Sequence, residues 1–198
     1  MNFFIGLVFD NNSEHLKKID NYRRRFDYKY LNNSFNQLTI LPPFELENSR
    51  VDNLNRLKEN LVEIVDDHLF GDHQLTQFEF YGISLHPGKK TIIGLTPKFT
   101  DELSFLQESL IDFLISEGAK FNKKNTNNLI YPIGRFENDY QIEVGVEIAK
   151  LEFSSPFVLN SNSIALFHRQ NCIWNLNNEL FKFQSQSSLN FVNQLWPN

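Results

Sequence analysis

The stretch Asn36-Gln37-Leu38-Thr39-Ile40-Leu41-Pro42-Pro43-Phe44 decides how this chain is read. Its first six residues form a strand, and Pro42-Pro43 is expected to stop it, because proline supplies no ladder donor. Residues i and i+2 of a strand point to one face, so Gln37 and Thr39 stand side by side. A second stretch, Ile130-Tyr131-Pro132-Ile133-Gly134-Arg135-Phe136, occupies a comparable place later in the chain. It belongs to a strand over 129–133, where Pro132 implies a bulge or an edge.

Upstream of Gln37, residues 3–9 form a buried first strand. Ser13 then caps a helix with Leu16, Ile19, Tyr22 and Phe26 at helical spacing. Downstream, Ser49 with Asp52 resembles a capping box for a helix carrying Val51, Leu54, Leu57, Leu61, Ile64 and Val65 on one face, and Gly71 breaks the pattern. A strand over 78–85 follows, and His86-Pro87-Gly88-Lys89 turns the chain into a strand over 91–95.

The order then recurs. Thr100 caps a helix with Leu103, Leu106, Leu110, Phe113 and Leu114 inward, and Gly118 is its C′ residue. A polar connection over 120–128 leads to the strand at 129–133. Residues 140–151 fit two patterns: Ile142, Val144, Val146 and Ile148 alternate as in a strand, while Ile142, Val146 and Ala149 match a helix. Antiparallel strands over 158–167 and 173–183 close the chain.

With a helix at 140–151, each half runs strand, helix, strand, helix, strand. The expected fold is α+β and bilobal: internally duplicated β-α-β-α-β halves, 1–87 and 88–198, with antiparallel-rich sheets facing a central cleft and helices outside. No linker rich in Pro, Gly or Ser separates the halves, so residues 1–198 are expected to form one domain. Ligands favour such lobe junctions.

Composition narrows the function classes. The net charge of −5 argues against avid non-specific nucleic-acid binding, which needs a basic surface. The single cysteine, Cys172, excludes an internal disulfide and a Cys-based zinc site. Residues 1–10 lack a basic leader region and are too short an apolar run for a membrane span, so a cytoplasmic location without membrane contact is expected. Most of the 20 Phe residues must be core. The abundant Asn, as at Asn32-Asn33 and 125–128, suits connections. The basic clusters Arg23-Arg24-Arg25 and Lys120 with Lys123-Lys124 are expected to be solvated surface.

The two stretches together resemble the paired motifs of the two-histidine phosphoesterase superfamily, which includes 2′-5′ RNA ligase-like proteins and cyclic phosphodiesterases. In that family each motif is His-x-Thr or His-x-Ser. The first commonly ends in a Leu-Pro-Pro-Phe-like run, and the second continues through an apolar and a small residue to Arg. The element order matches along nearly the whole chain. Ser163 to Phe167, with Trp174 and Leu180-Phe181-Lys182-Phe183, is similar to the family's closing hairpin.

The resemblance implies two imidazole–hydroxyl pairs flanking one phosphate. One histidine acts as base and the other as acid, with no metal or cofactor. This chain departs at the decisive atoms. Gln37 replaces the first histidine beside a retained Thr39; Ile130 replaces the second, and Pro132 its hydroxyl partner. Neither Gln nor Ile exchanges protons near neutral pH, and a catalytic acid or base is worth about 10²–10⁴-fold in rate. The expectation is a 2′-5′ RNA ligase-like, cyclic phosphodiesterase-like protein without catalysis at the motif positions. It would bind a nucleotide or RNA end through Gln37, Thr39, Arg135 and, if Pro132 shifts the register, Tyr131. The alternatives are an active phosphodiesterase using relocated residues, with His86 or His168 as candidates if they face the cleft, and a non-catalytic protein-interaction module.

No histidine falls at a motif position. His68 and His73, near Asp66, Asp67 and Asp72, have metal-ligand types, but the segment fits a helix C-terminus, where His68 favours the dipole. No metal is expected. No Gly-rich phosphate loop and no Gly-x-Ser-x-Gly elbow is present.

Overall fold

The structure, a computed structural model, describes residues 2–27, 36–46, 54–69, 77–98, 100–121, 129–170 and 173–183. Within them the chain is α+β, with helices α1 (Glu14–Phe26), α2 (Leu54–Leu69), α3 (Asp101–Ser116) and α4 (Asp139–Glu152). The strands are β1 (Asn2–Phe9), β2 (Gln37–Glu45), β3 (Gln77–His86), β4 (Thr91–Pro97), β5 (Lys120–Phe121), β6 (Tyr131–Phe136), β7 (Phe157–Gln170) and β8 (Ile173–Lys182). All strand pairings are antiparallel. They run in the order β5-β2-β1-β7-β3-β4-β6, with β8 also on β7. Long β7 joins the two ends: its first residues pair with β3, and the rest lie between β1 and β8.

Two segments differ from the sequence reading, and a third is left open by it. β2 does not stop at Pro42-Pro43 but runs on to Glu45. The register against β1 slips between Ile5 and its neighbours, so Ile40 is an extra residue there and the prolines fall where little pairing is demanded. Buried Gln107 of α3 donates from Nε2 to the Ile40 carbonyl, which supplies a partner at the irregularity. Lys120-Phe121, read as connection, pairs with Phe44 and Glu45 as β5. The ambiguous segment is helix α4, where the Asn138 side chain accepts from the Gln141 amide as N-cap. Its alternating apolar residues satisfied both periods, and capping chose between them.

Other signals hold locally. The Thr100 side chain accepts from the Leu103 amide at 3.3 Å, and Gly118 follows α3 at φ 82°. Ser13 occupies the α1 N-cap position without a side-chain hydrogen bond. The Ser49–Asp52 box, Gly71, His73, Cys172 and the Asn clusters lie outside the described residues.

The core is one large cluster, with a small second one of Phe4, Ala165 and Phe167 on the other side of the sheet. α2 and α3 pack on each other, α2 on β8 and α3 on β2, while α1 packs on β6 and α4 on β6, β3 and β4. Leu57, Leu61 and Val65 meet Leu103, Leu106, Leu110 and Leu114 in this core. Each such side chain contributes about 1.5–3 kcal/mol on burial. Among the described residues, no helix is long and apolar enough to cross a membrane.

Candidate functional site

The two faces of β2-β1-β7 differ. Phe3, Ile5, Leu7, Leu38, Leu41, Ile164 and Leu166 enter the main core. The opposite face carries Phe4, Gly6, Val8, Gln37, Thr39, Ser163, Ala165 and Phe167, assigned by register. Gln37 lies opposite Val8, which lies opposite Ser163; Thr39 lies opposite Gly6, which lies opposite Ala165. Phe4 stacks on Phe167 at 4.5 Å and meets the edge of Trp174 at 4.7 Å, forming an aromatic wall at one end.

Two polar atoms on this face stand out. Gln37 Oε1 and Ser163 Oγ are both buried and have no hydrogen-bond partner among the described residues. Buried polar atoms are nearly always paired, and an unpaired one costs about 1–3 kcal/mol. Here two occur in one row across three strands, one row from the Thr39 hydroxyl.

The matching strands at the other end are β6-β4-β3. Tyr131, Ile133, Ile93 and Leu95 enter the core, so Pro132 and its cross-strand partner Gly94 occupy the opposite face, with Ser84 beyond them. A side chain at Gly94 would meet Ile130 Cβ at 3.0 Å, which places Ile130 on that face too. The register slips opposite Pro132 and β6 ends the strand order, so this proline occupies both a bulge and an edge.

His86 is paired with Ile92, one row from Ser84, and Ser84 Oγ lies 2.9 Å from His86 Nε2. A hydroxyl and an imidazole thus share the face that carries Ile130 and Pro132. His168 lies opposite Phe3, in a row whose Phe side chain is core, and contacts Gln170 and Asn177 at 3.4 Å each.

The remaining sequence-derived site residues go elsewhere. Tyr131 is fully buried; its ring packs edge-on to Phe9 at 5.7 Å, and its hydroxyl donates to Asn36 Oδ1 at 3.3 Å. Arg135 turns to the C-terminus of α1, where Nη1 is held by the carboxylate of Asp27. Gln37, Thr39 and Ser163 therefore lie on the side of β2-β1-β7 away from the main core, and Ile130, Pro132, Ser84 and His86 on that side of β6-β4-β3, where Arg135 falls in the His86–Ile92 row but is held by Asp27, while Tyr131 is core.

The expectation that Arg23-Arg24-Arg25 is solvated needs correction at Arg23, which is only 6% exposed. Its Nε donates to the Pro132 carbonyl at 3.1 Å, and its guanidinium lies 5.1 Å from the Tyr131 ring centre. The spacing Leu16, Ile19, Arg23, Phe26 places it on the apolar stripe of α1, so the signal was in the sequence. His68 is equally engaged: Nδ1 contacts the Ile64 carbonyl at 2.8 Å and Nε2 the Ser109 hydroxyl at 2.9 Å. Among the described residues, no group of three or more His, Cys, Asp or Glu could hold a metal.

Sequence reasoning did not single out Ser163, Ser84 or Asp27. Ser163 and Ser84 lie on alternating strands where a serine is unremarkable; only cross-strand register gives them neighbours. Neither a protein-family model nor a curated protein matches this chain.

Proposed function

We propose that this protein is a two-histidine phosphoesterase-like chain that binds a nucleotide or RNA end without turning it over. The observation that carries the reading is the row of unpartnered polar atoms, Gln37 Oε1 and Ser163 Oγ, beside Thr39. A bound ligand with donor and acceptor groups would relieve the desolvation cost of both. Half-buried Trp174, packed on the buried Phe4–Phe167 pair, is the aromatic ring on this side that a nucleobase could meet. The strand orders β2-β1-β7 and β6-β4-β3 support a duplicated, two-lobed reading, since each half lends a late strand to the other half's motif sheet. The lack of a proton-transferring side chain at positions 37 and 130 supports binding over catalysis. Arg135 does not carry this reading, because Asp27 holds its guanidinium.

The test is calorimetric titration with nucleoside monophosphates, 2′,3′-cyclic nucleotides and short RNAs bearing a terminal phosphate. Gln37→Ala and Ser163→Ala should each weaken binding about five- to tenfold, the worth of one hydrogen bond. Binding indifferent to both, and to Thr39→Val, would remove this face from the function.

One contact favours a second reading, that of an active phosphodiesterase with relocated chemistry: the Ser84–His86 pair at 2.9 Å. The imidazole could act as base or acid on a phosphate ester from the face where the second motif histidine is missing. Turnover abolished by His86→Ala but untouched by Gln37→Ala would establish it.

A further inference from the structure

Outside both of these faces, the packed helices α2 and α3 bring a serine and a histidine together. Ser109 Oγ of α3 lies 2.9 Å from His68 Nε2 of α2, and His68 Nδ1 lies 2.8 Å from the Ile64 carbonyl. We propose that Ser109 is a nucleophile with His68 as its base, and that the pair hydrolyses neutral or cationic carboxylic esters through an acyl-Ser109 intermediate.

The contacts fix where the protons sit. A carbonyl oxygen only accepts, so the Ile64 contact places the ring proton of His68 on Nδ1. Nε2 of the neutral imidazole then carries a lone pair, and the Ser109 hydroxyl is the donor in their contact. Nucleophile, base and orienting group thus stand in the order that activates a serine. Ser116 on the same helix gives the comparison: its hydroxyl donates back to the Phe113 carbonyl at 2.7 Å, as serines within helices commonly do. The Ser109 hydroxyl is directed across to α2 instead. In the reaction Oγ bonds to the ester carbonyl carbon while its proton passes to His68 Nε2. The bond from that carbon to the alcohol oxygen then breaks, the alcohol leaves with the proton, and Ser109 is left acylated. Water repeats the exchange: it gives a proton to Nε2, its oxygen takes the acyl group as a carboxylic acid, and the proton returns to Oγ.

The frame is rigid and the pair is reachable. Leu61 and Val65 of α2 and Leu106 and Leu110 of α3 are fully buried in the main core, and side chains carried on packed helices hold their geometry better than those on loops. Ser109 and His68 themselves are half-buried. Phe105, one turn before Ser109 and 61% exposed, offers an apolar surface to an acyl group. Neither α3 nor residues 59–69 of α2 contain Lys or Arg, whereas Asp66, Asp67, Glu108 and Asp112 are exposed there. Their field turns away an anionic ester and admits a neutral or cationic one.

The proposal is independent of the β2 face and is tested separately from it. Full-length protein would be treated with a fluorophosphonate, which an activated serine attacks with loss of fluoride, and the labelled peptide located by mass spectrometry. Ser109 should carry the label in the native protein and not in protein unfolded in urea. The rate of labelling should fall about 10²–10⁴-fold in His68→Ala, the worth of a catalytic base. Hydrolysis of p-nitrophenyl butyrate should be lost in Ser109→Ala and unchanged in Ser116→Ala, and an ester with a carboxylate on its acyl chain should react about tenfold more slowly. Absence of label at Ser109 in the native protein, a result that needs no variant to fold, would overturn the proposal. Labelling or hydrolysis indifferent to His68→Ala would also overturn it and leave the pair as a tie between two helices.

Discussion

Arg135 and Asp27 are joined twice. The guanidinium of Arg135 is held by the Asp27 carboxylate, and the two backbones form an isolated parallel bridge. Asp27 ends α1 as its C-cap, with a side chain 1% exposed, while Arg135 retains 17%. The pair closes the outer edge of β6, where Arg23 also binds the Pro132 carbonyl. An edge strand is thereby covered by a helix end instead of being left open to pairing. The arginine that the motif assigned to a ligand has become part of the scaffold.

Asp27→Ala should therefore destabilise the protein by about 3 kcal/mol, the lower end for breaking a buried pair because Arg135 keeps some solvent. The double variant Asp27→Ala/Arg135→Met should lose less than Asp27→Ala alone, since no uncompensated cation remains. Urea unfolding of the three proteins checks both statements. Equal loss in the single and double variants would show that the charge is not the cause.

Gly145→Ala sets helix propensity against packing. Alanine gains up to about 1 kcal/mol in propensity, but its Cβ would stand 2.5 Å from the buried Phe136 ring, and overpacking costs about 1–3 kcal/mol. The clash is with a buried ring, so packing wins and the variant should be destabilised by up to about 2 kcal/mol, the overpacking cost less the propensity gain. Gly145→Ala/Phe136→Leu should recover part of the loss relative to Phe136→Leu alone. A thermal midpoint that rises with Gly145→Ala would show that propensity outweighs the clash.

Tyr22 carries a pH dependence. Burial, the dominant cause, pushes its phenol above the ordinary 10.0, partly opposed by nearby Arg25. The phenol is raised in the folded state, so its contribution is fully present below pH 10 and is lost as pH rises through the folded value. Stability should fall above pH 10 with an added slope that Tyr22→Phe removes. At neutral pH the same variant should cost about 1–2 kcal/mol for the Gly145 carbonyl left without its donor. Identical alkaline slopes in the two proteins would refute the assignment.

On activity, purified protein should not hydrolyse 2′,3′-cyclic nucleotides at a rate above that of the Gln37→Ala/Ile130→Ala variant, because neither native residue transfers a proton. Any slow turnover should depend on His86 alone. A comparison of initial rates across pH 5–9 for native protein, Gln37→Ala and His86→Ala separates the outcomes.

Glu137 provides a surface control. Its hydrogen bond to Lys90, then the charge of that lysine, holds the carboxyl below its usual range. Lys90→Ala should return it to an ordinary carboxylate titration, read by side-chain NMR, with global stability nearly unchanged because exposed pairs contribute little. An unchanged titration would mean that another group sets it.

Local patterns in the sequence determined most of the elements. Apolar residues at helical spacing fixed α1 to α3, a short apolar run fixed β1, the turn at 86–89 separated β3 from β4, and Thr100 and Gly118 bounded α3, because these signals act within a few residues. What depended on neighbours distant in the chain was not legible. Pro42-Pro43 sounded a stop that a register slip overrode, and Lys120-Phe121 is a strand only because Phe44 and Glu45 lie beside it. Tyr140 to Leu151 obeyed two periods until a cap selected the helix. The site divides in the same way. Gln37 and Thr39 share a face by strand geometry alone, which two positions in sequence suffice to state. That Ser163 joins their row, that His86 meets Ser84 beside Pro132, and that Asp27 takes Arg135 were settled by cross-strand register and by where α1 ends against β6, relationships between residues that no local pattern encodes.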